Sequence, residues 1–297
     1  MTKTVFITIA GRTNAGKSTL LNAIIGEKIA SVSSKPQTTR TRITGILTKD
    51  DTQLVFIDTP GLHKAKTKLG EHMMNMVKES VADIDAIIFM VDCLKKINEQ
   101  ETEMLEALNK SKAPVILVLN KIDMLSNKDE MAKLIHELTE KYDFKAVIPI
   151  SAKNNDGVSI VIDEAKKLAI ESPLFFPTDM ITDQPERVIA SEIIREKLLN
   201  LLNEEVPHGI AVAIEGMEER NNKDLLDISA VIYCEKDSHK GIVIGKSGKM
   251  LKTVGSNARV SLEDFFQIKV NLKLWVKVKE NWRNRESVIR SLGLSDK

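Results

Sequence analysis

The first half of the chain alternates short, uniformly apolar runs with longer stretches whose apolar residues recur at helical spacing. Val5–Ala10, Leu54–Asp58, Ala86–Asp92, Val115–Asn120 and Val147–Ile150 are short and rich in Ile and Val. Runs that are apolar on both faces predict buried strands of a largely parallel sheet. Ile43–Thr48 reads as a further strand, placed antiparallel at the edge. Between these runs, Lys17–Ile25, Leu69–Ala82, Glu99–Asn109, Glu130–Tyr142 and Val158–Ile170 carry the period of amphipathic helices. Gly26 is a fitting stop for the first of them. Strands alternating with helices predict a doubly wound α/β domain over residues 1–171.

The rhythm breaks across 172–185, where Pro173, Pro177 and Pro185 interrupt any period, and this stretch reads as a linker. The order of elements then changes. Glu186–Leu202 is an amphipathic helix, Gly209–Glu218 and Leu225–Glu235 alternate like strands, Gly248–Phe265 is helical, and Ile268–Lys277 alternates again before a helical tail over Trp282–Leu292. Residues 186–297 therefore predict a second, smaller α+β domain.

Composition sharpens this picture in three places. Aromatic residues are only 4% of the chain, so both cores must rest on Ile, Leu and Val. A net charge of +1 conceals a basic region: 236–290 holds 13 Lys and Arg against 5 Asp and Glu, the footprint of a polyanion partner. The two cysteines, Cys93 and Cys234, each sit in an apolar run, which predicts buried free thiols. No signal peptide is visible and no apolar run approaches the roughly 20 residues of a membrane helix. The expected location is the cytoplasm, with peripheral attachment at the inner face of the cell membrane left open.

Four motifs carry chemistry, each at the end of a predicted strand, where ligands bind in open α/β sheets. Gly11-Arg12-Thr13-Asn14-Ala15-Gly16-Lys17-Ser18 is a phosphate loop. Its glycines let backbone N–H groups turn to the phosphates, and the helix behind it adds positive potential. The cradle runs from Gly11 through Asn14, Ala15, Gly16, Lys17 and Ser18 to Thr19. Lys17 is placed to contact the β- and γ-phosphates, and Ser18 to ligate Mg²⁺. In the second motif, Asp58-Thr59-Pro60-Gly61, the carboxylate can hold the Mg²⁺ shell and the Gly61 N–H can sense the γ-phosphate. Between the two lies a polar loop containing Pro36-Gln37-Thr38-Thr39-Arg40, where Thr39, with Thr38 as the alternative, is the candidate third Mg²⁺ ligand. Lys17, Thr39 and Gly61 are thus the groups expected around the reacting phosphate.

The third motif, Asn120-Lys121-Ile122-Asp123, reads the base. Asp123 can accept two N–H bonds from guanine, a donor pair that adenine lacks, which argues against an ATP-dependent kinase or ATPase. Asn120 is expected to brace the phosphate loop and Lys121 to stack its stem on the base. The fourth, Ser151-Ala152-Lys153, offers the Ala152 N–H to guanine O6. Four motifs in this order define a GTP- and GDP-binding protein that hydrolyses GTP.

Leu62 follows Gly61 at the position where many GTPases place the Gln that orients water. Leucine cannot do this, so intrinsic hydrolysis should be slow unless charge is stabilised otherwise. The Asn14 side chain could help hold a monovalent cation against the phosphates, which makes potassium stimulation a hypothesis. His63 reads as a solvent-facing residue.

In the second domain, Ile242-Val243-Ile244-Gly245-Lys246-Ser247-Gly248-Lys249 fits the Gly-x-x-Gly loop of KH domains. Glycines at Gly245 and Gly248 allow a nucleic-acid backbone to come close. Lys240, Lys246, Lys249, Lys252 and Arg259 can neutralise phosphate, and Ser247 sits within the loop. The apolar residues before the loop, Ile244 among them, should wall a groove for unstacked bases. The rival is a GTPase that signals to a protein or membrane partner through a docking module that ignores RNA.

With these motifs in place, the whole chain resembles the Era-like GTPases of bacterial ribosome assembly. The resemblance rests on Gly11–Thr19, Pro36–Arg42, Asp58–His63, Asn120–Asp123, Ser151–Lys153 and Ile242–Arg259, and covers both domains in order. It implies a hydrophobic-residue GTPase, consistent with Leu62, and a type II KH fold. It also implies binding to the 3′ region of 16S rRNA, not to DNA, and a role in assembling the small ribosomal subunit; a monomer is expected. Thr13 stands where the family usually has Pro, and Ala15 where Val is common. Neither change removes a ligand group.

Overall fold

The computed structural model describes residues 1–35, 38–61, 67–79, 84–108, 111, 113–203, 206–220 and 224–294. The chain divides into two compact units. The first comprises Met1–Ala30, Thr39–Lys64 and Met73–Asp183; the second comprises Gln184–Lys297 with Ser31–Thr38 and Ala65–His72.

The first unit contains strands β1 (Lys3–Ala10), β2 (Ile43–Lys49), β3 (Thr52–Asp58), β4 (Ala86–Asp92), β5 (Val115–Asn120), β6 (Ala146–Ile150) and β7 (Ile170–Glu171). The order across the sheet is β2-β3-β1-β4-β5-β6, with β7 paired to β1. All neighbours from β3 to β6 run parallel, while β2 is antiparallel at the edge. Every residue of β4 is buried. That is why it reads as continuously apolar: helices cover both faces. Helices α1 (Lys17–Ile25), α3 (Glu99–Leu108), α4 (Lys128–Thr139) and α5 (Val158–Lys166) belong to this unit, as does most of α2 (Lys68–Glu79). One cluster joins Met104, Leu105 and Leu108 of α3 and Leu134 and Leu138 of α4 to Ile87, Phe89, Leu117 and Leu119 of the sheet. Each such apolar side chain contributes about 1.5–3 kcal/mol by leaving water.

The chain beyond α5 departs from the sequence reading. The helix expected to reach Ile170 stops at Lys166, and the next residues form β7. The segment expected as a linker is fastened to this unit. Buried Gln53 accepts the N–H groups of Phe175 (2.9 Å) and Phe176 (3.0 Å) and donates to the Phe176 carbonyl at 2.9 Å. Phe175 also packs edge-on against Phe6. The prolines break any regular ladder in this stretch, which bends at Phe175–Phe176 and turns after Pro177, so a side chain supplies the partners a strand would have supplied.

The second unit contains α6 (Glu186–Leu201), β8 (Ala211–Glu219), β9 (Leu225–Cys234), α7 (Asp237–Ile244), α8 (Lys249–Phe266), β10 (Lys269–Val278) and α9 (Glu286–Ser291). Its sheet has the order β10-β9-β8, with β8–β9 antiparallel and β9–β10 parallel. Helices α6, α7 and α8 pack on it through Ile193, Ile194, Leu198, Val243, Val254, Ala258 and Leu262. Trp282 is fully buried and donates its indole N–H to the Gly209 carbonyl at 2.9 Å. Within the same unit, Ser31 donates to the Glu192 carbonyl, the Val32 N–H reaches Glu196, and Arg195 donates to the Thr38 carbonyl. The element the sequence reading lacked is α7. It is eight residues long and carries Gly241, Ile242, Val243 and Ile244, which favour other backbone states over an isolated helix.

Candidate nucleotide site and nucleic-acid face

The register of the sheet brings the motifs together. Ile9 pairs with Asp58, Asp92 with Asn120, and Asn120 with Ile150, so β1, β3, β4, β5 and β6 end on one edge. The phosphate loop leaves β1 there and enters α1. Gly16 has φ 107, and a Cβ on it would collide with the Asn120 side-chain amide. Only glycine meets both demands. Asn120 donates to the Ala15 carbonyl at 2.8 Å, and its Oδ1 accepts the Ala152 N–H at 3.0 Å. One side chain thereby clamps the phosphate loop to the Ser151-Ala152-Lys153 turn. The same bond turns the Ala152 N–H towards Asn120, where the sequence reading had it facing guanine O6.

Three oxygen-bearing side chains converge beside this loop. Ser18 Oγ donates to Asp58 Oδ2 at 2.6 Å and lies 2.9 Å from Thr39 Oγ1, which is itself 3.4 Å from the same carboxylate oxygen. Asp58 is fully buried, and its Oδ1 has no hydrogen-bond partner. Hard oxygen donors around an orphaned carboxylate oxygen fit a Mg²⁺ ion. Burial pushes the Asp58 carboxyl above its ordinary range; Lys17, Ser18 and Thr39 oppose that push. Burial likewise lowers the Lys17 ammonium, with Asp58 opposing. Lys17 Nζ donates to the carbonyls of Gly11 and Arg12, both at 3.2 Å. The site therefore holds a desolvated cation and a desolvated anion, each suited to an ionic ligand. Gly61 approaches the loop so closely that a Cβ would lie 2.7 Å from Thr13. Pro36, Gln37, Leu62 and His63 lie outside the described residues.

On the base side, Lys121 adopts left-handed backbone (φ 75), and Asp123 follows it, exposed, in a single 3₁₀ turn. Lys121 Nζ is held by Asp92 Oδ2 at 2.8 Å. Asp92 belongs to a cluster of buried charged residues beside the nucleotide loops, with Arg12 and Glu101, that sequence reasoning missed. The available signal was a carboxylate closing an otherwise wholly apolar strand.

The second unit presents a groove of about 440 Å³ between α8 and β10, lined by Gly248, Leu251, Lys252, Gly255, Ser256, Arg259, Leu272 and Leu274. Gly245, Ser247 and Gly248 all take positive φ at the turn that separates α7 from α8. Of the predicted contacts, Gly248, Lys252 and Arg259 line this groove. Lys246, Ser247 and Lys249 are exposed at its approach, while Lys240 and Ile244 are half-buried on α7. The expected apolar wall needs correction. Val243 is fully buried in the core, and the groove's apolar side comes from Leu251, Leu272 and Leu274. Helical spacing turns Val243 inward, whereas β10 alternation turns its leucines towards α8.

A strand–phosphate-loop–helix site with a guanine-reading motif, joined to a three-stranded αββααβ unit with a Gly-x-x-Gly turn, defines a GTPase carrying a KH domain. Family models agree: residues 6–121 match the 50S ribosome-binding GTPase family and residues 205–283 match the KH domain. The chain is 50% identical to GTPase Era of Clostridioides difficile over the full length of both, and 50% identical to GTPase Era of Ruminiclostridium cellulolyticum over 98% of this chain and 97% of that one. It superposes with a TM-score of 0.95 and 36% identity, over all of both chains, on a crystal structure of Era in complex with MgGDPNP and nucleotides 1506–1542 of 16S ribosomal RNA. With Aquifex aeolicus Era bound to GDP·AlF₄⁻ the TM-score is 0.94 and the identity 36%, covering 99% of this chain. The chain belongs to the GTPase Era family.

Proposed function

We propose that this GTPase binds the 3′ region of 16S rRNA in its KH groove and assists assembly of the small ribosomal subunit, with the bound guanine nucleotide as the switch. The observation that carries this reading is the groove itself. It joins a Gly-x-x-Gly turn, two cations and a leucine floor in one concave face, which suits unstacked bases with a neutralised backbone. The related structure that holds a 16S fragment supports it. The reading assigns the work to residues 186–297, the nucleotide to 1–171, and a connecting role to 172–185. It takes the protein as a cytoplasmic monomer.

At the nucleotide, Gly11, Asn14, Ala15, Gly16, Lys17, Ser18 and Thr19 would cradle the phosphates. Ser18, Thr39 and Asp58 would hold Mg²⁺, which neutralises phosphate charge when bound. Asp123 would accept the guanine N–H groups, Lys121 would cover the base, and an N–H of the Ala152-Lys153 turn would meet O6, with Asn120 and Ser151 setting that turn. Gly61 would report the γ-phosphate. Asn14 would help hold K⁺ beside the phosphates through its side-chain oxygen.

The test is crosslinking of the full chain to a 16S 3′-end fragment, with and without a non-hydrolysable GTP analogue. We expect a crosslink that depends on the nucleotide and is lost when Lys246 and Lys249 are changed to Asp. A crosslink unchanged in that variant would favour a docking module indifferent to RNA.

A further inference from the structure

We infer that Asp92 is a positioning residue that ties the phosphate loop to the guanine-recognition loop and thereby sets how long the nucleotide stays bound. In the sheet, β4 lies between β1 and β5, whose ends carry those two loops. Asp92 closes β4 and is fully buried. Its Oδ2 meets Lys121 Nζ at 2.8 Å and Arg12 Nη2 at 3.7 Å, with Lys95 Nζ at 3.9 Å. Its Oδ1 is anchored by the Leu94 N–H at 3.1 Å.

Arg12 belongs to the phosphate loop. Its guanidinium is almost wholly buried and reaches Glu101 Oε2 at 3.5 Å. Its carbonyl is one of the two that hold Lys17. Glu101, also fully buried, is fixed by the Asn98 N–H at 3.1 Å at the start of α3. Any displacement of Lys121 away from Asp92 would take the nearest cation from a buried carboxylate and leave it only the longer approaches of Arg12 and the more exposed Lys95. Any displacement of the loop would strip Arg12 of both carboxylates. Uncompensated buried charge is costly, so each loop resists the release of the other. Asn120 provides one cross-brace through neutral bonds; Asp92, its register partner at the end of β4, provides a second, ionic one.

This inference rests on the assignment of Lys121 to the base, and the experiment separates the two. GDP dissociation is measured by stopped flow with a fluorescent GDP for the full chain, Asp92→Asn, Lys121→Met and the double variant. Lys121→Met keeps the stem and removes only the ammonium. We expect Asp92→Asn to speed dissociation by about tenfold or more. Lys121→Met should also speed it, and the double variant should stay within about twofold of Asp92→Asn, because both act through one contact. Single-turnover hydrolysis of prebound GTP should change far less. A purely structural role would lower the melting temperature of the nucleotide-free protein and leave dissociation unmoved. Dissociation unchanged in Asp92→Asn, or effects that multiply in the double variant, would overturn the inference. Lys121→Met without effect would instead overturn the Lys121 assignment. Should Asp92→Asn fail to fold, Arg12→Lys tests the other arm. It keeps the charge but shortens the reach, and faster GDP release is expected; an unchanged rate would overturn the inference.

Discussion

Ser18 Oγ donates to Asp58 Oδ2 at 2.6 Å, although the two residues are 40 positions apart in the chain. The bond joins the start of α1 to the end of β3 and fixes where a divalent ion can sit. The second carboxylate oxygen is buried without a partner. Changing Asp58 to Ala should therefore weaken Mg²⁺-dependent nucleotide binding by about tenfold or more and abolish the difference between GDP binding with and without chelator. Titration of a fluorescent GDP with and without EDTA reads both effects.

Gly16 is constrained twice, by φ 107 and by the Asn120 amide against it. Gly16→Ala should lower GDP affinity by about 100-fold and cost about 1–3 kcal/mol of folding stability. Calorimetric binding and chemical denaturation measure the two independently. A variant with full stability and weak binding would still place the effect in the loop.

Gly255 lines the KH groove with its α-carbon, and a Cβ there would meet only Leu274 Cδ1, at 3.5 Å. Leucine at this position should fill the groove without changing charge. RNA affinity should fall by about tenfold while GTP hydrolysis in the absence of RNA is unaffected. Filter binding with a 16S 3′-end fragment distinguishes this from loss of non-specific phosphate contacts. Those would respond to salt and to Lys252→Ala or Arg259→Ala instead.

Cys93 and Cys234 are buried free thiols, and burial pushes each up to about 11. The folded protein thus holds both thiol protons more tightly than the unfolded chain. Their contribution to stability is complete below the ordinary thiol value of 9.0 and is lost as pH rises towards about 11. At pH 8 neither should react with a thiol reagent such as DTNB on a timescale of minutes, and both should react at once in denaturant. Rapid labelling of the native protein would contradict the burial.

Much of the first unit was legible because its strands are apolar on both faces and its glycines fall where loops must bend. The bounds of β4 and β5, for example, follow directly from Ala86–Asp92 and Val115–Asn120. Helix α7 was not legible, since Gly241 and three β-branched residues oppose a helix that tertiary packing of Val243 then enforces. The path of 172–183 was hidden for a related reason. It depends on Gln53, a polar residue inside a strand whose partners lie more than a hundred positions away. In the site, Lys17, Ser18 and Asp58 announce themselves by spacing. Arg12, Asp92 and Glu101 do not, because their roles come from mutual proximity across three separate elements.

The central claim is that the loops at the ends of β1, β3, β5 and β6 enclose one guanine nucleotide, with Asp123 as the group that reads its base. The most direct measurement is the equilibrium affinity of the full chain and of Asp123→Asn for GDP and for xanthosine diphosphate. The account predicts that the variant loses most of its affinity for GDP and gains affinity for the xanthosine nucleotide, because an amide can donate where xanthine offers an acceptor. A variant that keeps the preference of the native chain for GDP would contradict it.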